Sequence, residues 1–251
     1  MKFRFTGLSD VGLVRSANQD AYYIDPEGQF FIVADGMGGH AGGEEASRIA
    51  TQVIQADLVK HWNSDKPTSS LLLDAFSQAN RAIVQDQQKH PQRSDMGTTA
   101  VAVIFRQQQV YCAHVGDSRL YRLRSLELQQ ITQDHTWVAR ALKLGELTPE
   151  EVRVHPYRHV LLQCLGREEL HQIDVQELDV QPGDRLLLCS DGLTEELSDQ
   201  LIASYLQSLD INQAVFDLVE AAKANGGHDN ITVVIGEFDK VPLVQKVQSQ
   251  D

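Results

Sequence analysis

Residues 30–34, Phe-Phe-Ile-Val-Ala, form an uninterrupted apolar run that stops abruptly at Asp35. Runs of this kind mark strands buried on both faces. Apolar runs at 98–105, 110–115, 185–189 and 231–238 read as further strands, with a first strand and turn at 3–12 and other strands at 21–24, 120–123, 126–132 and 173–178. The spacing changes to a helical period over 44–62, where Ala46, Ile49, Ala50, Val53, Ile54 and Leu58 make one stripe. Glu44 and Glu45 open that helix, where its dipole favours negative charge. After polar residues 63–70, a second stripe holds Leu72, Phe76, Ala79 and Ile83. Two more helices are expected near 197–209 and 212–224. Residues 134–165 differ in texture, with short helical pieces, a Thr148-Pro-Glu-Glu helix start, and His135, His155 and His159. This region, taken as 135–165, reads as an insertion or flap.

The strands follow one another mostly through short turns, without alternating crossover helices. That order predicts antiparallel sheets with helices packed outside them, an α+β layered domain, and argues against a doubly wound parallel sheet. One domain over 1–240 is expected, with a polar tail at 241–251. No run approaches the roughly 18–20 apolar residues of a membrane span. The start of the chain lacks the apolar segment of a signal peptide, so a cytoplasmic location is expected. Cys112, Cys164 and Cys189 are odd in number and set in apolar surroundings, which predicts buried free thiols. A net charge of −13 argues against nucleic acid or an anionic membrane as partner. It would also repel a phosphate ester, unless bound cations reverse the local field.

The carboxylates answer that difficulty. Three buried strands deliver an aspartate at their C-terminal ends: Asp35, followed by Gly36; Asp117; and Asp191, followed by Gly192. Asp20 and Asp229 stand just before strands. In antiparallel pairing the start of one strand lies beside the end of its neighbour, so all five can meet at one edge. Clustered carboxylates repel unless cations lie between them, and oxygen-only ligands suit Mg²⁺ or Mn²⁺. Two such ions roughly 3.5–4 Å apart would activate water for phosphate-ester hydrolysis. Arg15 is the nearby cation, and a guanidinium suits bidentate phosphate binding. A competing reading takes residues 36–41, which fit the G-x-G-x-x-G/A spacing, as a dinucleotide-binding turn. A third is a phosphoprotein-binding module without catalysis.

Six motifs then appear in order: Arg15-Ser-Ala-Asn-Gln-Asp20, Val33-Ala-Asp-Gly-Met-Gly-Gly-His40, Met96-Gly-Thr-Thr-Ala100, His114-Val-Gly-Asp-Ser-Arg119, Leu188-Cys-Ser-Asp-Gly-Leu193 and Gly227-His-Asp-Asn-Ile-Thr232. Together they resemble the PPM (type 2C) metal-dependent Ser/Thr protein phosphatases over about residues 5–238. The form is that of bacterial stand-alone members, and it is similar to the cyanobacterial phosphatases acting on the phosphorylated PII signalling protein. The resemblance implies a four-layer αββα sandwich, two Mg²⁺ or Mn²⁺ ions with room for a third, and water attacking phosphorus directly without a phosphoenzyme. It implies that Asp35 bridges two metals and the Gly36 carbonyl binds one of them. Asp191 and Asp229 complete the set, Asp20 acts through water, and Asp117 joins Asp191 at a third ion. Arg15 would bind the substrate phosphate. A histidine often follows Asp-Gly in eukaryotic members, and here Met37 stands there. His40 and His159 are the alternatives for protonating the leaving group. A monomer acting on a phosphorylated protein is expected.

Overall fold

The apolar runs become the inner strands of two packed sheets. The structure, a computed structural model, describes residues 3–39, 42–207 and 210–238. Its strands are β1 (Phe3–Asp10), β2 (Asp20–Ile24), β3 (Phe30–Met37), β4 (Gly97–Thr98), β5 (Ala100–Arg106), β6 (Gln109–Val115), β7 (Arg119–Arg124), β8 (Glu127–Gln130), β9 (Asp174–Leu178), β10 (Arg185–Cys189) and β11 (Ile231–Phe238). Its helices are α1 (Gly42–His61), α2 (Thr68–Lys89), α3 (Trp137–Lys143), α4 (Pro149–Val154), α5 (Asp191–Thr194), α6 (Asp199–Leu206) and α7 (Ile211–Ala224). One sheet runs β1-β11-β10-β7-β8 and the other β2-β3-β5-β6-β9, with β4 added beside β3. Every pairing among them is antiparallel.

The alternation of side chains explains why the central strands carry no polar face. Along β3, Phe30, Ile32 and Ala34 pack with Ala46 and Ile54 of α1 and with Leu72 and Phe76 of α2. Phe31 and Val33, pointing the other way, meet Leu186 and Leu188 of β10 and Val234 of β11 between the sheets. On the far side of the first sheet, Leu187, Ile231, Val233 and Ile235 lie under Leu193, Ile202 and Leu218 of α5, α6 and α7. The layers are therefore helix, sheet, sheet, helix, as the resemblance implied. No helix among the described residues is long and apolar enough to cross a membrane.

Several boundaries differ from the sequence expectation. The strand expected over 30–34 continues through Asp35, Gly36 and Met37, because Asp35 pairs with Asp20 and the next two residues pair with Thr98 and Gly97. The helix expected near 197–209 is α6, and a separate turn, α5, precedes it. Ser198 breaks the two apart by capping α6, its Oγ accepting the Leu201 N–H. The turn between β6 and β7 carries the chain from one sheet to the other. The expected helix start at Thr148 is a full capping box, with Glu151 returning to the Thr148 N–H at 2.8 Å. The tail at 241–251 lies outside the described residues.

Candidate metal centre

Strand register brings the carboxylates together. Asp20 and Asp35 are direct partners across β2 and β3, so their side chains share a face. Asp117 follows β6 on the corner between the sheets. Asp191 is the first residue of α5, one step beyond β10 and Ser190. Asp229 precedes β11, whose Thr232 carbonyl accepts the Ser190 N–H at 3.1 Å. All five thus sit at one end of the sandwich.

Their electrostatics register mutual proximity. Burial first, then the charges of Asp20, Asp191 and Asp117, hold the Asp35 carboxyl well above its ordinary value. Burial, followed by Asp191 and Asp134, does the same to Asp117, with Arg119 opposing. Asp191 is raised by burial and by Asp229, against a hydrogen bond with Asp35. Asp20 is pushed up to about 7 by burial, which outweighs hydrogen bonds with Thr232 and Ser190. Ser190 Oγ donates to Asp20 Oδ2 at 2.7 Å, while Asp20 Oδ1 and Asp191 Oδ1 are buried with no hydrogen-bond partner. Orphaned buried carboxylate oxygens are costly in a finished protein interior. Hard divalent cations, which take several carboxylate oxygens, fit this donor set.

Gly36 is required by packing alone. A Cβ there would lie 2.0 Å from the Gly43 carbonyl oxygen and 2.5 Å from that of Gln19. The backbone of β3 and the start of α1 are therefore in direct contact. Gly36 lies inside an antiparallel strand, and no βαβ unit surrounds it, which removes the dinucleotide reading.

The remaining candidates separate. Arg15, about half exposed, reaches the cluster with Nη2 at 2.6 Å from Asp229 Oδ2. His159 extends from the flap, its Nδ1 2.7 Å from Glu195 Oε1, and both lie beside Asp191. His135 and His155 go elsewhere: His155 stacks on Trp137 and His135 on His114. His40 lies outside the described residues. The three cysteines are free and buried, as expected.

Four contributors were not singled out from sequence. Ser190 and Thr232 orient Asp20, and Thr99 accepts the Asp35 N–H on its Oγ1 at 3.0 Å. Glu195 stands one helical turn after Asp191, a spacing visible only once a helix start at Asp191 is read. Burial, then Asp191, pushes Glu195 up to about 7.

A family profile described as protein phosphatase 2C matches residues 14–230. The serine/threonine protein phosphatase PstP of Mycobacterium tuberculosis is 40% identical over 238 residues, 93% of this chain and 45% of the relative. This chain therefore spans about half the length of that relative. The serine/threonine phosphatase stp of Listeria monocytogenes is 36% identical over 245 residues, covering 95% of this chain and 96% of the relative. The crystal structure of the Mycobacterium tuberculosis phosphatase superposes with a TM-score of 0.84 at 38% identity, covering 95% of this chain and 99% of that one. The catalytic domain of PstP in complex with two manganese ions superposes with a TM-score of 0.82 at 36% identity, with the same coverage. Sheets and helices share the architecture of these solved phosphatase structures. The chain belongs to the protein phosphatase 2C family, the PPM Ser/Thr phosphatases.

Proposed function

We propose that this chain hydrolyses phosphoserine and phosphothreonine on proteins, using two Mg²⁺ or Mn²⁺ ions with room for a third. The observation that carries the reading is the convergence of Asp20, Asp35, Asp117, Asp191 and Asp229, with two buried carboxylate oxygens left without partners. Asp35, the Gly36 carbonyl, Asp191 and Asp229 would hold the two ions, Asp20 would act through water, and Asp117 with Asp191 would serve a third. Ions bound there neutralise phosphoryl charge and make water nucleophilic at neutral pH.

The chain's own groups do the rest. Arg15 presents its guanidinium beside Asp229, where it can take two phosphate oxygens and set their orientation. Ser190 holds the Asp20 carboxylate with one hydrogen bond and is itself fixed by the Thr232 N–H at 3.0 Å. His159, held through Nδ1 by Glu195, keeps Nε2 for the departing serine or threonine oxygen. His40 is the alternative proton donor. The nucleophile is water: the cysteines are buried, and burial raises Cys112, Cys164 and Cys189 away from thiolate formation.

Every candidate group comes from one chain, so a monomer suffices. Free buried thiols suit a reducing compartment, which supports a cytoplasmic location. Phosphorylated PII is the specific substrate we favour, on the motif likeness described above. The experiment is release of phosphate from p-nitrophenyl phosphate and a phosphothreonine peptide, with and without chelator. Activity should vanish on metal removal and return with Mn²⁺; activity that survives full removal overturns the reading. Asp191→Ala should lower turnover by at least about 10³-fold, on the scale of lost metal-assisted charge stabilisation, with an unchanged circular dichroism spectrum.

A further inference from the structure

We infer that His135 is a positioning residue, which ties the flap to the carboxylate end of the sandwich by clamping the corner that carries Asp117. The inference rests on the proposed metal reading only for the role given to Asp117.

The clamp is made on one residue from two sides. The His135 N–H donates to the Gly116 carbonyl at 2.9 Å, and the Gly116 N–H donates to His135 Nδ1 at 3.2 Å. Gly116 has a φ of +103°, and a Cβ there would meet Thr99 at 2.6 Å, so the corner admits little variation. Because Nδ1 accepts, the neutral ring carries its proton on Nε2, which donates to Asp174 Oδ2 at 3.1 Å. His114 stacks on the ring at 4.6 Å, with its own Nε2 donating to the Gln133 carbonyl at 2.9 Å. His135 is consequently fixed in tautomer and plane.

The same residue also holds the flap. Its carbonyl accepts the Leu162 N–H at 2.7 Å, and the next residue, Thr136, caps α3. On the inner side, Ser118 Oγ lies 2.6 Å from Thr99 Oγ1, the atom that accepts the Asp35 N–H. Asp134 adds a bidentate grip on Arg119 at the other end of the corner. Flap, corner and the Asp35 strand thus share one hydrogen-bonded network with His135 at its junction. The group His114, His135 and Asp174 offers ligand atoms within 4.8 Å of one another. The rings, however, are stacked 4.6 Å apart and inclined by only 26°, so their planes do not meet near the nitrogens and one ion cannot lie in both. The group therefore positions and does not ligate.

The test uses the whole chain with His135→Ala, His135→Asn and Asp174→Ala. Two readouts are taken: Mn²⁺ affinity by titration calorimetry, and limited proteolysis of the flap in metal-free protein. In His135→Ala, Mn²⁺ affinity should fall about tenfold, the scale at which outer partners tune metal ligands, and flap cleavage should accelerate. His135→Asn, whose Oδ1 can take the place of Nδ1, should restore most of the metal affinity. A folded His135→Ala with native affinity and native flap cleavage overturns the inference. If that variant does not fold, the same two measurements on Asp174→Ala decide it. Absence of Mn²⁺ binding by the unmodified chain would overturn the metal reading instead, leaving flap cleavage to judge His135.

Discussion

At the scale of single residues, the site depends on two kinds of exclusion. Asp20, Asp35, Asp117 and Asp191 are placed where water is scarce, and burial with the charge of neighbouring carboxylates raises the proton affinity of each. Gly36 excludes any side chain, because its backbone touches that of Gly43 and Gln19. Gly36→Ala should therefore cost about 3 kcal/mol or more, since backbone cannot yield as a flexible side chain can. Thermal melting should show a fall of well over about 5 °C, with loss of Mn²⁺ binding in whatever protein still folds. The aspartates were legible in the sequence because each terminates or precedes an apolar run. Ser190, Thr232 and Thr99 were not, since a hydroxyl beside a carboxylate has no pattern until the strands are paired.

At the scale of elements, β3 joins the core to the chemistry. Its residues alternate between the α1–α2 face and the space between the sheets, so every position from Phe30 to Ala34 is buried. Phe31 lies in an aromatic group, with its ring 5.2 Å from that of Phe5 and 5.8 Å from that of Phe105. Phe31→Ala should cost about 3–5 kcal/mol by transfer and cavity terms. Denaturant melts at equal m-value would measure it; a loss below about 1 kcal/mol would mean that the sheets do not meet there as described. The apolar runs made these strands legible. Their pairing was not, as the corner at Gly116 shows: two strands adjacent in the chain and joined by a short turn belong to different sheets.

At the scale of the whole molecule, an acidic chain concentrates carboxylates at one end, and its stability there must depend on pH and on cations. Asp20 is raised from 3.8 to about 7 in the folded state. A raised acid binds more protons folded than unfolded, so its contribution favours folding at low pH and is lost as pH rises through that interval. Metal-free protein should accordingly lose stability between pH 4 and about 7, relative to a variant carrying Asp20→Asn. Saturating Mn²⁺ should remove that loss and raise the melting temperature, by mass action on the folded state. Thermal melts across that interval, with chelator and with Mn²⁺, would check both. A metal-free melting temperature that climbs with pH through this window, relative to Asp20→Asn, would contradict the assignment.

By itself, the sequence determined that there would be buried strands, amphipathic helices, a flap of different texture and aspartates at strand ends. These are local properties, written in hydrophobic periodicity and in turn residues, and the ordered motifs carried the family likeness with them. Only the tertiary structure decided which strands share a sheet, that β3 runs on through Asp35 to Met37, and that the three flap histidines part company. It alone set His159 beside Glu195, and His135 between Gly116 and Asp174. The reason is distance along the chain. Hydrogen bonds between residues tens of positions apart leave no periodic trace, and their partners are chosen by the packing of layers on layers.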